Sequence, residues 1–145
     1  MSVYKIPKVK IRMVRERAQI TLQDSNDASG AVRHLCCENP SMESFCVLYI
    51  NGRNQLIAGR LVAMGGASSL SVRAREIFQG ACDMGAGGII LGHNHPSGSV
   101  NPSQEDREMT NILKKAGEIL GIPVVDHVIV TECGKKYSFM DHHEL

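Results

Sequence analysis

GGIILGHNHPSG, residues 87–98, places a short apolar run directly before two histidines and a Pro-Ser-Gly turn. Residues 87–91 contain no polar side chain, which is the pattern of a strand buried on both faces. Such a strand needs a layer of structure on each side, which fits an α/β sandwich. The side-chain period of an extended chain is two, so Ile89, Leu91, His93 and His95 point the same way. Asn94 is the spacer between the two imidazoles. His93 and His95 then stand at the carboxyl end of a buried strand, where α/β sheets usually place their ligands.

Working outward, alternation of Val9, Ile11 and Met13 with Lys8, Lys10 and Arg12 predicts a first strand at 8–14. A helix is expected at 27–37, capped by Ser25 or Asn26, with Val32, Leu35 and Cys36 facing inward. Strands at 45–50 and 55–64 flank the turn signal Asn51-Gly52 and form a hairpin. Gly65-Gly66 breaks the second of these strands. A helix at 71–84 carries Ala74, Ile77, Phe78, Ala81 and Cys82 as its apolar stripe. The next helix opens with Asn101 as N-cap, Pro102 at the first helical position and Gln104 completing a capping box. It runs to about Leu120, where Gly121 and Pro123 stop it. Strands at 124–131 and 136–140 close the chain. The order β-α-β-β-α-β-α-β-β implies a central mixed sheet flanked by helices, a three-layer-like sandwich.

The 145 residues suit one domain spanning 1–145, with a basic strand or arm at 1–17 and a tail at 141–145. No apolar tract is long enough to span a membrane, and the N-terminus lacks the apolar segment of a signal peptide, so the cytoplasm is the expected location. The five cysteines include no CxxC pair and read as reduced core thiols. Net charge is only +1, but residues 1–17 hold six basic groups against one acid. That arm suits either an acidic partner such as a phosphate backbone or a solvated strand edge protected by lysines.

The letters His93-Asn94-His95 do not make a nuclease of the HNH class, whose namesake residues are scattered over a ββα hairpin. Pro96 and Gly98 occupy the place where the helix of that motif would begin. Two histidines alone are weak evidence of a metal. Asp106 strengthens the case, because it shares a helix face with Met109, Thr110 and Leu113, the stripe that must pack on the sheet. An ionised carboxylate there is costly without a partner. Asp106 also reads as an N-terminal helix charge, an account that fits Glu105 and Glu108 better. A His93/His95/Asp106 set of two nitrogens and one oxygen leaves one tetrahedral position open, as in catalytic rather than structural zinc sites. Zn2+ in such a site lowers the pKa of bound water toward about 7, and a base is still required. Neither HExxH nor the deaminase His-x-Glu with Cys-x-x-Cys is present.

His93-Asn94-His95-Pro96 followed by Ser103 and Asp106 resembles the His-x-His-Pro…Ser-x-x-Asp signature of the JAB/MPN (JAMM) zinc metallopeptidases. The longer set resembles the bacterial RadC-like branch: HNHPSG…NPSQED, Gly65-Gly66, Arg75-Glu76-Ile77-Phe78 and Asp126-His127-Val128-Ile129-Val130. The resemblance runs from about residue 20 to Phe139. It implies a JAB/MPN, cytidine-deaminase-like sandwich with His93, His95 and Asp106 as zinc ligands. It further implies that Ser103 stabilises the carbonyl oxygen of a tetrahedral intermediate. The family's general acid/base is an upstream glutamate on an early strand, a position that Glu43 matches. Glu76 is the rival, although a surface ion pair with Arg73 or Arg75 describes it adequately. Asp126 and His127 read either as groups supporting the ligands or as a plain core pairing. Ala74 stands where relatives tend to have Pro. The 145 residues leave no room for the N-terminal helix-hairpin-helix of longer relatives, which weakens a DNA role.

Three functions follow as expectations. The first is a zinc-dependent hydrolase of peptide or isopeptide bonds in a protein substrate. The second is a repair-associated binding module with a structural metal, its basic arm holding nucleic acid or a repair protein. The third is a metal-free scaffold, against which the presence of Ser103 argues. No membrane partner is expected, and a homodimer is compatible with the sequence.

Overall fold

The run of Ile89, Ile90 and Leu91 becomes the middle strand of a five-stranded sheet. In the computed structural model, which describes residues 20–64 and 72–145, strands Ser44–Ile50 (β1), Leu56–Met64 (β2), Gly88–Asn94 (β3), Val124–Val130 (β4) and Lys136–Ser138 (β5) lie in the order β2-β1-β3-β4-β5. β3 pairs parallel with β4, and the other neighbours are antiparallel, so the sheet is mixed. The arm 1–17, the expected strand 8–14, the Gly65-Gly66 break and residue 71 lie outside the described residues.

Every residue of β1 and of β3 is buried, which requires cover on both faces. Helix Ser25–Cys36 (α1) covers one, packing Ala28, Val32 and Cys36 on Cys46, Leu48, Ile90, Val128 and Val130. Helices Ala74–Met84 (α2) and Gln104–Leu120 (α3) cover the other, where Ile77, Phe78, Met109 and Leu113 meet Phe45, Val47, Ile89 and Leu91. The result is the expected α/β sandwich, with the odd-numbered side chains of β3 on the α2/α3 side. Gly92 is where α1 comes nearest the sheet: a Cβ added there would lie 2.5 and 2.6 Å from the two γ-carbons of Val32.

Several local expectations need correction. The cap of α1 is Asp24, whose carboxylate accepts the N–H groups of Asn26 and Asp27 at 2.9 and 3.0 Å; Ser25 and Asn26 are already helical. The cap of α3 is Ser103 rather than Asn101. Its hydroxyl accepts Asp106 N–H at 3.0 Å, while Asp106 Oδ2 accepts Ser103 N–H at 2.8 Å, a reciprocal box that displaces the one expected from Asn101 and Gln104. Even a bare scaffold therefore has a use for Ser103. Cys82 and Cys133 are exposed and Cys37 is half-buried, so only Cys36 and Cys46 are core thiols. Glu76 makes no ion pair among the described residues; its carboxylate turns back to the N–H of Arg73 at the start of α2.

Candidate metal centre

The site forms where β3 ends and α3 begins. His93 is the sixth residue of β3 and its ring faces the α3 side, stacked on Phe45 of β1 with centroids 5.8 Å apart. Past the strand, Gly98 adopts a positive φ of 84°, a conformation that suits glycine, and turns the chain back toward α3. His95 Nδ1 bonds the carbonyl of Ser99 within this turn at 2.8 Å. A carbonyl only accepts, so Nδ1 carries a proton, and in its neutral form the ring presents a bare Nε2. Asp106, placed by the Ser103 box in the first turn of α3, is 4% exposed.

These pieces converge. His93 Nε2 and His95 Nε2 are 3.0 Å apart; Asp106 Oδ1 lies 3.3 Å from the first and Oδ2 3.4 Å from the second. Burial pushes the Asp106 carboxyl up, but the adjacent imidazoles of His93 and His95 outweigh it and hold the group far below the usual carboxylate range. The hydrogen bond to Asp106 raises the pKa of His95, against an opposing push from burial. Once His95 is neutral it has no proton to give at Nε2, and two imidazole nitrogens and a carboxylate gathered this closely then have too few protons among them. A divalent cation suits this donor set by number, charge and type. Glu43 belongs to the same neighbourhood: Glu43, His93 and His95 offer ligand atoms all within 4.8 Å of one another, a group that could hold a metal ion. The two histidines are common to both groupings, and Glu43 and Asp106 line one pocket with His93, Phe45, Ala63, Val72 and Met109.

Glu43 precedes β1 and is held there by Asn94. The Asn94 side chain accepts Ser44 N–H at 2.7 Å and donates to the Met42 carbonyl at 2.9 Å, gripping the backbone on either side of Glu43. The sequence reading gave Asn94 no role beyond spacing. It also left His127 and Asp126 undecided between support and core. Asp126 is tied into the core by Ser138 Oγ at 2.7 Å, Met140 N–H at 3.0 Å and its neighbour's N–H at 2.7 Å. His127 instead touches the site: its Nε2 is 2.8 Å from His93 Nδ1, and its Nδ1 is 2.6 Å from Thr110 Oγ1. It is fully buried, stacked on Phe139 with centroids 4.7 Å apart, and burial drives its pKa well below the ordinary imidazole value. Glu76 is absent from the residues lining the pocket. Among the described residues no helix is long and apolar enough to cross a membrane.

A family model described as a RadC-like JAB domain matches residues 22–145. A UPF0758 protein of Flavobacterium johnsoniae is 41% identical across 88% of this chain and 57% of its own length. Its counterpart in Rubrobacter xylanophilus is 37% identical across 92% of this chain and 57% of its own. That of Carboxydothermus hydrogenoformans is 45% identical across 71% and 45%. The chain thus spans about half the length of the curated relatives it matches. With the mixed sheet, its two helical layers and the imidazole–carboxylate cluster at the end of β3, these matches place it: the chain belongs to the RadC-like JAB domain family.

Proposed function

We propose that the protein is a zinc-dependent hydrolase of peptide or isopeptide bonds, with His93, His95 and Asp106 holding the metal and Glu43 serving as general acid/base. The observation that carries this reading is the meeting of His93 Nε2, His95 Nε2 and Asp106 within 3.0–3.4 Å, with a further carboxylate, Glu43, in the same pocket. Zinc bound by these three residues would supply a Lewis acid and a water ionised near neutral pH. Glu43 takes the water's proton and returns it to the leaving amine, the transfer a carboxylate at the edge of the site is suited to make. Ser103 accepts the Asp106 N–H, so its hydroxyl proton stays free to donate to the carbonyl oxygen of the substrate. The apolar side chains of Phe45, Ala63, Val72 and Met109 in the pocket wall limit the access of bulk water.

The test pairs metal analysis with hydrolysis. Purified protein should carry close to one zinc per chain, and His95→Ala should lose it. Glu43→Gln should keep the zinc yet lose cleavage of an isopeptide-linked or peptide substrate by at least about a hundredfold, the usual worth of a general acid/base. A zinc-loaded Glu43→Gln that cleaves as fast as the parent removes Glu43 from this role.

A further inference from the structure

We propose that Thr110 and His127 form a hydrogen-bond relay that fixes the tautomer of His93, so that its ring turns a bare Nε2 lone pair toward Asp106 and His95. The proposal rests on the metal reading above only for its consequence, tighter zinc binding; the tautomer itself follows from the contacts.

The relay begins at a group that cannot be ambiguous. Thr110 Oγ1 lies 2.6 Å from the main-chain carbonyl of Asp106, one turn back on α3. A carbonyl only accepts, so the single hydroxyl proton of Thr110 is committed to it, the usual back-bond of a helical threonine. What Thr110 has left for His127 Nδ1, at 2.6 Å, is a lone pair. His127 Nδ1 therefore carries the proton. His127 is wholly buried, its ring stacked on Phe139 and edge-on to Phe45. Among the described residues no carboxylate hydrogen-bonds it, so the enclosed ring is neutral and its Nε2 is an acceptor. His93 Nδ1, 2.8 Å away, must then be the donor. In a neutral ring this leaves His93 Nε2 unprotonated, and that atom faces His95 Nε2 and Asp106 Oδ1.

The geometry leaves the rings little freedom to choose otherwise. His93 is stacked on Phe45 with an interplanar angle of 16°, and His127 on Phe139 with one of 11°. Rotating either ring would break the relay and also a close aromatic contact. Asp106 is bound in at both ends, because its carbonyl anchors the relay while its carboxylate meets both imidazoles. The carbonyl, threonine, His127 and His93 thus make one closed path from α3 through β4 to β3. Groups that bond the far nitrogen of a ligand histidine commonly change metal affinity by about 10–100-fold when removed. Thr110 and His127 are positioning residues in this sense and touch no substrate.

The experiment is long-range 15N–1H NMR of the histidine rings in the full chain, zinc-free, together with zinc affinity by competition against a chromophoric chelator. In the wild-type protein both His93 and His127 should appear as the Nδ1–H tautomer. Thr110→Val keeps the shape but deprives His127 Nδ1–H of its acceptor. It should shift both rings toward Nε2–H and weaken zinc binding about 10–100-fold. Thr110→Ser should restore both readouts. A wild-type His93 protonated at Nε2 overturns the relay. So does a folded Thr110→Val with unchanged tautomers and zinc affinity within twofold of the parent. Wild-type protein that shows the stated tautomers yet binds no zinc overturns the metal reading and leaves the relay standing.

Discussion

Asn94 and Ser44 are joined by a buried hydrogen bond of 2.7 Å, from the Ser44 main-chain N–H to the side-chain oxygen of Asn94. The residue between the two histidines thus points away from them and sets the start of β1, which Glu43 immediately precedes. Its amide also binds the Met42 carbonyl, so one side chain holds both flanks of Glu43. Asn94→Ala leaves a buried N–H and a carbonyl without partners, which should cost about 1–3 kcal/mol. Urea unfolding measures this directly. His93, His95 and Asp106 keep their own supports, so zinc content should stay at the wild-type level; a variant as stable as the parent contradicts the role given to Asn94.

Gly92 is required by close approach rather than by backbone conformation. A methyl group there would press on both γ-carbons of Val32 and lie 3.0 Å from the Cys46 sulfur. Gly92→Ala should therefore destabilise the fold by about 1–3 kcal/mol through overpacking. Adding Val32→Ala removes the obstacle, so the double variant should lose less than the two single losses together. Strict additivity in thermal or denaturant unfolding would show that α1 does not press on β3 at this point.

If His93, His95 and Asp106 hold the metal as proposed, chelation and pH act on the same three residues. Zinc present at 100 times its dissociation constant should raise stability by about 2.7 kcal/mol, and chelator should reverse the gain. The raised pKa of His95 fixes the sign of the pH dependence. In the metal-free fold, the His95–Asp106 pairing contributes fully below the unfolded imidazole value, about 6.5, and fades as pH rises through the higher folded one. A proton bound that firmly also competes with zinc until the pH passes the same value. Both effects make the difference in Tm between zinc-loaded and chelated protein grow from pH 6 to pH 8. A difference that shrinks over this interval would place the metal elsewhere.

The thiols divide by burial. Cys82 and Cys133 are exposed, and the hydrogen bond with Thr131 lowers the pKa of Cys133. The native protein should alkylate quickly at these two positions, Cys133 first, because the thiolate is the reactive form. Burial raises the pKa of Cys37, so it should react slowly, and Cys36 and Cys46 only on unfolding. Mass spectrometry after timed iodoacetamide exposure gives the order, and early labelling of Cys46 would contradict the packing of α1 on β1.

The hairpin of β1 and β2, the buried β3 and the length of α3 were all legible in local pattern: alternation, an uninterrupted apolar run, and a helical stripe ended by Gly121. Caps were not. Asn101 and Ser103 are both good capping residues, and the choice fell to Ser103 because Asp106 three residues on returns the bond to its N–H. Cys82 looked apolar enough for the α2 stripe, yet it stays exposed while Ile77, Phe78 and Ala81 fill the contact.

The sequence by itself determined which side chains gather at the candidate centre. A strand period of two puts His93 and His95 on one side, and a helix start places Asp106 on the face turned to the sheet. Such relations span a few residues and need only backbone geometry. The tertiary structure alone decided what holds them in place. His127 reaches His93 across 34 residues because β4 lies parallel beside β3, and Asn94 reaches Ser44 across 50 because β1 runs antiparallel on its other side. Strand order and register are set by how a whole sheet buries its two faces, and no local period records them.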